Sequence, residues 1–336
     1  MRNNQFAINY ILTFQPDGHF FALSITNIKE SLAKAKFSFM HSIKSNFDQI
    51  LCVLRDILGE SSPIFKKQVK PGPKTTFHDI EVIALTCTAE SMGYDSENYF
   101  FSLLNKSDFP GLLSRRQYND RRRLLKNIIE EVRKQVLSKI STSQPVFIID
   151  SMPLRLCRYS RRHRNKIGQQ ENEIKPNVGY CAAQEEHYFG CKLHLVCSFE
   201  GVPQFFDVTH ASFSDVNYLE TVGKRFKNCR LIGDKGYISK YYKQRLKEES
   251  KVSLLTDSRS NAKTPTFIPL IYKGKRKKIE TLFSQLAGQF NIQQNYAKTL
   301  TAYLTRVWSK LLSMTILQYI NQQKNKPIGK IKYAFL

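Results

Sequence analysis

Three carboxylates stand where their type and spacing would assemble a cation site. Asp150 closes the apolar run Val146-Phe147-Ile148-Ile149, and Asp234 closes the run from Cys229 to Gly233. Glu280 lies early in a helical pattern around Lys275 to Phe290. A short apolar run ending in an acid reads as a buried strand that delivers the acid at its C-terminal end, where open α/β sheets expose ligand sites. Glu280 sits beside the apolar stripe Ile279, Leu282, Phe283, Leu286 and Phe290, with Arg276 one turn earlier on the same face. Hard divalent cations such as Mg²⁺ take a few carboxylate oxygens, with water and phosphate oxygens completing the shell. Two such ions about 4 Å apart stabilise the attacking and leaving oxygens of an in-line displacement at a phosphodiester. Taken singly, each acid also reads as an ordinary turn or solvated helix residue. Their order along the chain, inside a strongly basic protein, favours a site.

The charge points to the substrate class. Of 336 residues, 52 are Lys or Arg and 28 Asp or Glu, a net of +24. Such an excess costs stability through self-repulsion, and a polyanion is its usual counterpart. Nucleic acid is the first candidate and an anionic membrane surface the second. The membrane reading is the weaker, because no run of about 18 apolar residues exists to span a bilayer. The apolar patch Phe6–Phe14 lacks the basic start of a signal peptide. Seven cysteines with no Cys-x-x-Cys pair read as reduced, mostly buried thiols of a cytoplasmic protein, and a zinc site is not expected. With 41% hydrophobic residues the chain builds a real core.

The elements that must position the acids follow from periodicity. Residues 1–42 carry few charges and no convincing period, and they are set apart as an N-terminal extension without assigned function. Residues 43–140 read as a helical DNA-binding region. Phe47, Ile50, Leu51, Leu54 and Leu58 give a helix over 43–58. The loop Lys70-Pro-Gly-Pro-Lys74 and a capped start at Thr76 to Asp79 precede a second, and a long basic helix is predicted from Ser114 to about Ile140. Short helices ending in an Arg-rich one suit a helix-turn-helix reader, and equally a plain bundle with a basic face. Composition changes at Ser141–Pro145, so residues 141–336 form the second region. There, strands are expected at 146–149, 191–199, 202–208, 229–233 and 252–256, with Ser214 or Asp215 capping a helix after the third. Two helices close the chain. Three antiparallel strands, a helix, a further strand and C-terminal helices is the element order of an RNase H-like fold: α/β, a mixed sheet flanked by helices, here preceded by an all-helical N-terminal domain.

Cations are placed to meet DNA in several blocks. Arg115, Arg116, Arg121, Arg122 and Arg123 crowd the start of the basic helix. Arg155, Arg158, Arg161, Arg162, Arg164 and Lys166 follow Asp150 without an intervening acid and suit the phosphate backbone. Lys192 and His194 share one strand face, and either contact DNA or the metal or form a polar rim. Lys235 adjoins Asp234, and Lys275, Arg276 and Lys277 precede Glu280.

Several blocks also resemble the DDE transposases of bacterial insertion sequences, in particular the group numbered nine-eight-two. They are Ile148-Ile-Asp-Ser151, Phe189-Gly-Cys-Lys-Leu-His-Leu195, Ile232-Gly-Asp-Lys-Gly-Tyr237 and Arg276-Lys-Lys-Ile-Glu-Thr-Leu-Phe-Ser-Gln285. The Lys70–Lys74 loop and Ser114-Arg-Arg-Gln-Tyr118 resemble that group's N-terminal region, so the likeness spans about 43–322. It implies that Asp150, Asp234 and Glu280 form the catalytic, metal-binding triad, holding two Mg²⁺ ions for which Mn²⁺ substitutes. Arg276 matches the Arg of a Tyr-Arg-Glu-Lys signature. Tyr272 is one position too far from it, and Ala287 stands where the Lys belongs, so the roles of that Tyr and Lys do not carry over. The resemblance further implies cleavage at element ends and 3′-hydroxyl strand transfer. Its partners would be double-stranded DNA, as terminal inverted repeats and target, bound by a homodimer near the nucleoid. A nuclease of the same fold without strand transfer stays open, as does a non-enzymatic DNA-binding protein.

Overall fold

The computed structural model describes residues 10–13, 21–24, 42–59, 76–169, 174–259, 261, 267–294 and 296–336. The Lys70–Lys74 loop lies outside these. Within the N-terminal extension, β1 (Tyr10–Thr13) and β2 (Phe21–Ser24) pair antiparallel, an element the sequence pattern did not suggest.

Five helices follow: α1 (Ile43–Leu58), α2 (Asp79–Ser91), α3 (Glu97–Leu103), α4 (Arg115–Leu124) and α5 (Lys126–Ser138). Ser42 caps α1, and Phe47, Ile50, Leu51 and Leu54 are its buried face, as the spacing predicts. The start of α2 is capped differently from the Thr76 expectation: His78 and Glu81 form a capping box. The predicted single helix from Ser114 to Ile140 is two. Leu125 leaves helical geometry with ψ of 2°, is fully buried, and directs the chain to a new axis. The break lets α4 bury Tyr118 and Arg122 while α5 turns Ile129, Val132 and Val136 inward.

The sheet has six strands: β3 (Val146–Cys157), β4 (Asn177–Cys181), β5 (Glu186–Ser198), β6 (Pro203–His210), β7 (Arg230–Ile232) and β8 (Ser253–Leu255). β5 lies antiparallel along β3, and its other edge pairs first with β4 and then with β6. β7 lies parallel to the other edge of β3, and β8 parallel to β7. Strand β4 was not foreseen, and β3 runs well past the predicted 146–149 because Ser151 to Cys157 keep pairing with β5. At Gly190 a side chain is excluded: a Cβ would come within 2.1 Å of the Leu154 carbonyl oxygen, at the bulge between Arg155 and Cys157.

One sheet face, with Ile148, Met152, Leu154, Leu193 and Leu195, packs into a core shared with α1, α2, α5, α8 (Lys277–Gly288) and α9 (Leu300–Gln323). The other face, with Ile149, Val196 and Leu231, packs on α6 (Leu219–Arg225) and α7 (Lys240–Ser250). Helix α9 is buried almost all round, its polar residues Thr305, Arg306, Ser309, Lys310 and Ser313 included. Together these elements make a mixed α/β protein.

Candidate active site

Asp150 lies within β3, not at its end as the short apolar run suggests. The parallel neighbour β7 stops at Ile232, whose partner is Ile148, so Asp150 stands just beyond the parallel pairing. Asp234 follows β7 by two residues and caps the 3₁₀ turn Lys235–Tyr237, accepting from the Gly236 N–H at 2.8 Å. The two aspartates therefore stand just past the end of the parallel β3–β7 pairing, Asp150 within β3 and Asp234 after β7, the position at which such sheets place ligands.

Their electrostatics are unfavourable without a cation. Burial pushes the Asp150 carboxyl up to about 7. The Ser151 N–H, at 2.8 Å, pulls it down, Asp234 pushes it up, Arg276 draws it down and Asp215 pushes it up again. Arg276 is the nearby positive charge, and its Nε is buried without a hydrogen-bond partner. A small cleft lined by Gly233, Asp234, Lys235, Asp257 and Arg276 opens at this point. Asp257 follows β8 as Asp234 follows β7, and it accepts from the Ile268 N–H at 2.9 Å. Sequence reasoning passed over Asp257, although an acid just after an apolar strand was the same signal that selected Asp234.

Glu280 lies in the first turn of α8 and is exposed. Among the described residues no three His, Cys, Asp or Glu side chains come together closely enough to hold one ion. The fit to a divalent cation thus rests on the Asp150–Asp234 pair. It offers hard oxygen donors, and the raised Asp150 carboxyl is an unmet demand for positive charge.

Lys192 and His194 face away from Asp150. In the β3–β5 register His194 is beside Ser151, whereas Asp150 is beside Leu195, so the pleat puts them on opposite faces. His194 is fully buried and stacks on Tyr218 at 4.2 Å, and burial pushes its imidazole down to about 3, so it is neutral. Lys192 bonds the Phe213 carbonyl at 2.7 Å and Asp215 at 3.2 Å. Asp215 also accepts from Ser151 Oγ at 2.8 Å. Of the two expected caps, Ser214 stands at the N-cap position of the turn, and Asp215 instead ties β3 and β5 together from behind Asp150. His194 Nε2 lies 2.9 Å from Thr209 Oγ1, and its buried Nδ1 has no hydrogen-bond partner.

The remaining cations divide by partnership. Arg122 is buried and bonded to Glu97 and Asn119, Arg121 to Asp79 and the Phe77 carbonyl, and Arg123 to Asp120. Arg121 and Arg122 tie α4 to its neighbours, Arg123 pairs within α4 at the surface, and Arg122 is buried. Arg115 and Arg116 are exposed and line an open groove with Tyr296 and Lys298. Arg155 bonds Gln184 and Glu186, while Arg158, Arg161, Arg164 and Lys166 are exposed and Arg162 lies over the Tyr159 ring. Lys235 and Lys277 are exposed, and Lys275 lies over the Phe199 ring.

Residues 139–299, just under half of the chain, match the model of a family described as Transposase DDE domain. The match includes Asp150, Asp234 and Glu280 and supports a DDE transposase, an enzyme class that acts on nucleic acid. No curated protein and no solved structure matches the chain. Among the described residues no helix is long and apolar enough to cross a membrane.

Proposed function

We propose that this protein is a metal-dependent transposase that cleaves DNA at the ends of its element and joins the freed 3′-hydroxyl to target DNA. The observation that carries the reading is the pair Asp150 and Asp234, delivered together from adjacent parallel strands. Burial and mutual repulsion raise the Asp150 carboxyl to about 7. The strand order β6–β5–β3–β7–β8, antiparallel up to β3 and parallel after it, supports the RNase H-like reading of the sheet. The all-helical segment before it fits a DNA-binding role.

In this proposal Asp150 and Asp234 hold the first divalent ion, and Glu280, from the first turn of α8, completes the set on the DNA complex. When bound, Mg²⁺ ions supply stabilisation of the attacking and leaving oxygens. Arg276, on the preceding turn, offsets the charge of Asp150 and would offer its guanidinium to a phosphate held at the site. The exposed Arg158, Arg161 and Arg164 hold the backbone, and Arg115 and Arg116 contact the inverted repeats, with two copies bringing the ends together.

Incubation with the flanking inverted-repeat DNA, with and without Mg²⁺, tests this. Asp150→Asn, Asp234→Asn and Glu280→Gln are each expected to abolish cleavage while duplex affinity stays within about twofold, since few phosphate contacts are touched. Near-normal cleavage by any one of them removes that residue from the ligand set. Pre-cut ends offered to the parent protein separate transposition from simple hydrolysis: joined products are expected, and hydrolysis alone would make it a nuclease.

A further inference from the structure

The β4–β5 end of the sheet, beyond the last β3–β5 pair, carries rings that the acid site does not use. Tyr180 of β4 and His187 of β5 are register partners, with ring centroids 5.1 Å apart. On the other side of His187 lies Tyr159, 6.1 Å away and nearly parallel at 29°. The Arg162 guanidinium continues the row, 4.3 Å from the Tyr159 ring. Three elements thus deliver one line of planar groups: β4, β5, and the 3₁₀ turn Tyr159–Arg164, which supplies both Tyr159 and Arg162.

Burial does not explain the row. Tyr180 is 55% exposed and Tyr159 39%, and both are among the chain's exposed large hydrophobic residues. The flank is basic: Arg158, Arg161 and Arg164 are exposed beside Tyr159. Of the acids at the hairpin end, Glu186 is paired with Arg155, which leaves Glu185 at the turn. Tyr180 and His187 line an open cleft together with Lys192, Asp215 and Gly236, and Gly236 is two residues on from Asp234.

We propose that this row is a stacking platform for an unpaired DNA strand passing to or from the acid site. Exposed aromatic rings with exposed arginines beside them suit unpaired bases, whose π-faces are open. A duplex has those faces already stacked, so it gains only the charge. Arg162 adds a planar cation on which a further base stacks. The proposal rests on the DNA-cleaving reading for its biological sense, because separated strands arise where ends are cut and joined. Its physical content is a binding preference that needs neither metal nor cleavage.

The test measures binding of the full chain to fluorescein-labelled oligo-dT and to a duplex of equal length, in EDTA and at several salt concentrations. Tyr159→Ala and Tyr180→Ala are each expected to weaken oligo-dT binding on the order of tenfold, as removal of one stacked ring does, with duplex affinity unchanged. Tyr159→Phe and Tyr180→Phe should restore oligo-dT binding, since stacking needs the ring and not the hydroxyl. Thermal unfolding of each variant at the parent's temperature shows that the sheet is intact. Oligo-dT affinity unchanged in both Ala variants overturns the proposal, and so does equal weakening on oligo-dT and duplex. Because the assay contains no metal, its failure would leave the Asp150, Asp234 and Glu280 results standing. Likewise, active triad variants would leave the platform standing.

Discussion

Asp150 holds a charge in a place that resists it. Its carboxyl is raised to about 7, chiefly by burial, with Asp234 and Asp215 adding to the effect. In the unfolded chain the same group titrates near 4, so between those values the folded state binds the extra proton. Stability from this group is therefore full below about pH 4 and is lost as pH rises to about 7. Asp150→Asn, which keeps the Oδ1 acceptor for the Ser151 N–H, removes that loss. In metal-free buffer the variant should be more stable than the parent by on the order of 2–4 kcal/mol at pH 8 and no more stable at pH 4. Urea unfolding at both pH values measures it; a gap that does not change with pH would mean that Asp150 is not the raised group. Adding Mg²⁺ should narrow the gap, because a cation bound by the parent restores what burial took away.

At the scale of elements, the 3₁₀ turn Tyr159–Arg164 carries the proposed contacts to the DNA backbone. It follows β3 directly, so its exposed cations continue the strand that carries Asp150. Each phosphate that it neutralises releases condensed counterions. Replacing Arg161, Arg162 and Arg164 together by Ala should lower the slope of log affinity against log salt by about 0.9 for each phosphate no longer neutralised, equally on every duplex. Changing Arg115 and Arg116 at the exposed N-terminal turn of α4 should instead cost more on the element's own ends than on random DNA. Fluorescence titrations at several salt concentrations decide between these. An unchanged slope in the triple variant would move the backbone contacts elsewhere.

Across the whole molecule, the N-terminal helices are tied to the C-terminal one by a buried ion cluster. Glu90 of α2 accepts from Arg306 Nε of α9 at 3.1 Å and pairs with Lys310. Lys310 also reaches the Phe290 carbonyl, and Arg306 the Asp95 carbonyl. Burial alone would raise the Glu90 carboxyl, but Arg306 and Lys310 outweigh it and hold it at about 2. Glu90→Gln leaves two buried cations without their counter-charge, which costs about 3–5 kcal/mol at pH 7. Because the Glu90 carboxyl is depressed, its contribution is present above about pH 4.5 and fades as pH falls toward 2. The gap between parent and variant in chemical unfolding should shrink over that window, and an equal gap at pH 7 and pH 3 would contradict this account.

The acids, their order and the strands that carry Asp150 and Asp234 were legible in the sequence, because a buried strand must be an apolar run and an acid at its end breaks that run visibly. The basic excess and the helical stripe of α1 were legible for the same reason: they are local patterns. Pairing was not. Only the β3–β5 register decides that His194 sits beside Ser151 and faces away from Asp150, since a shift of one residue would reverse it. Only the folded chain shows that Arg122 is engaged by Glu97 while Arg115 and Arg116 stay exposed, or that Asp215 braces Ser151 and Lys192. The row Tyr180, His187, Tyr159 and Arg162 draws on three stretches of chain with no common motif. Sequence separation hides such a row, and cross-strand pairing creates it.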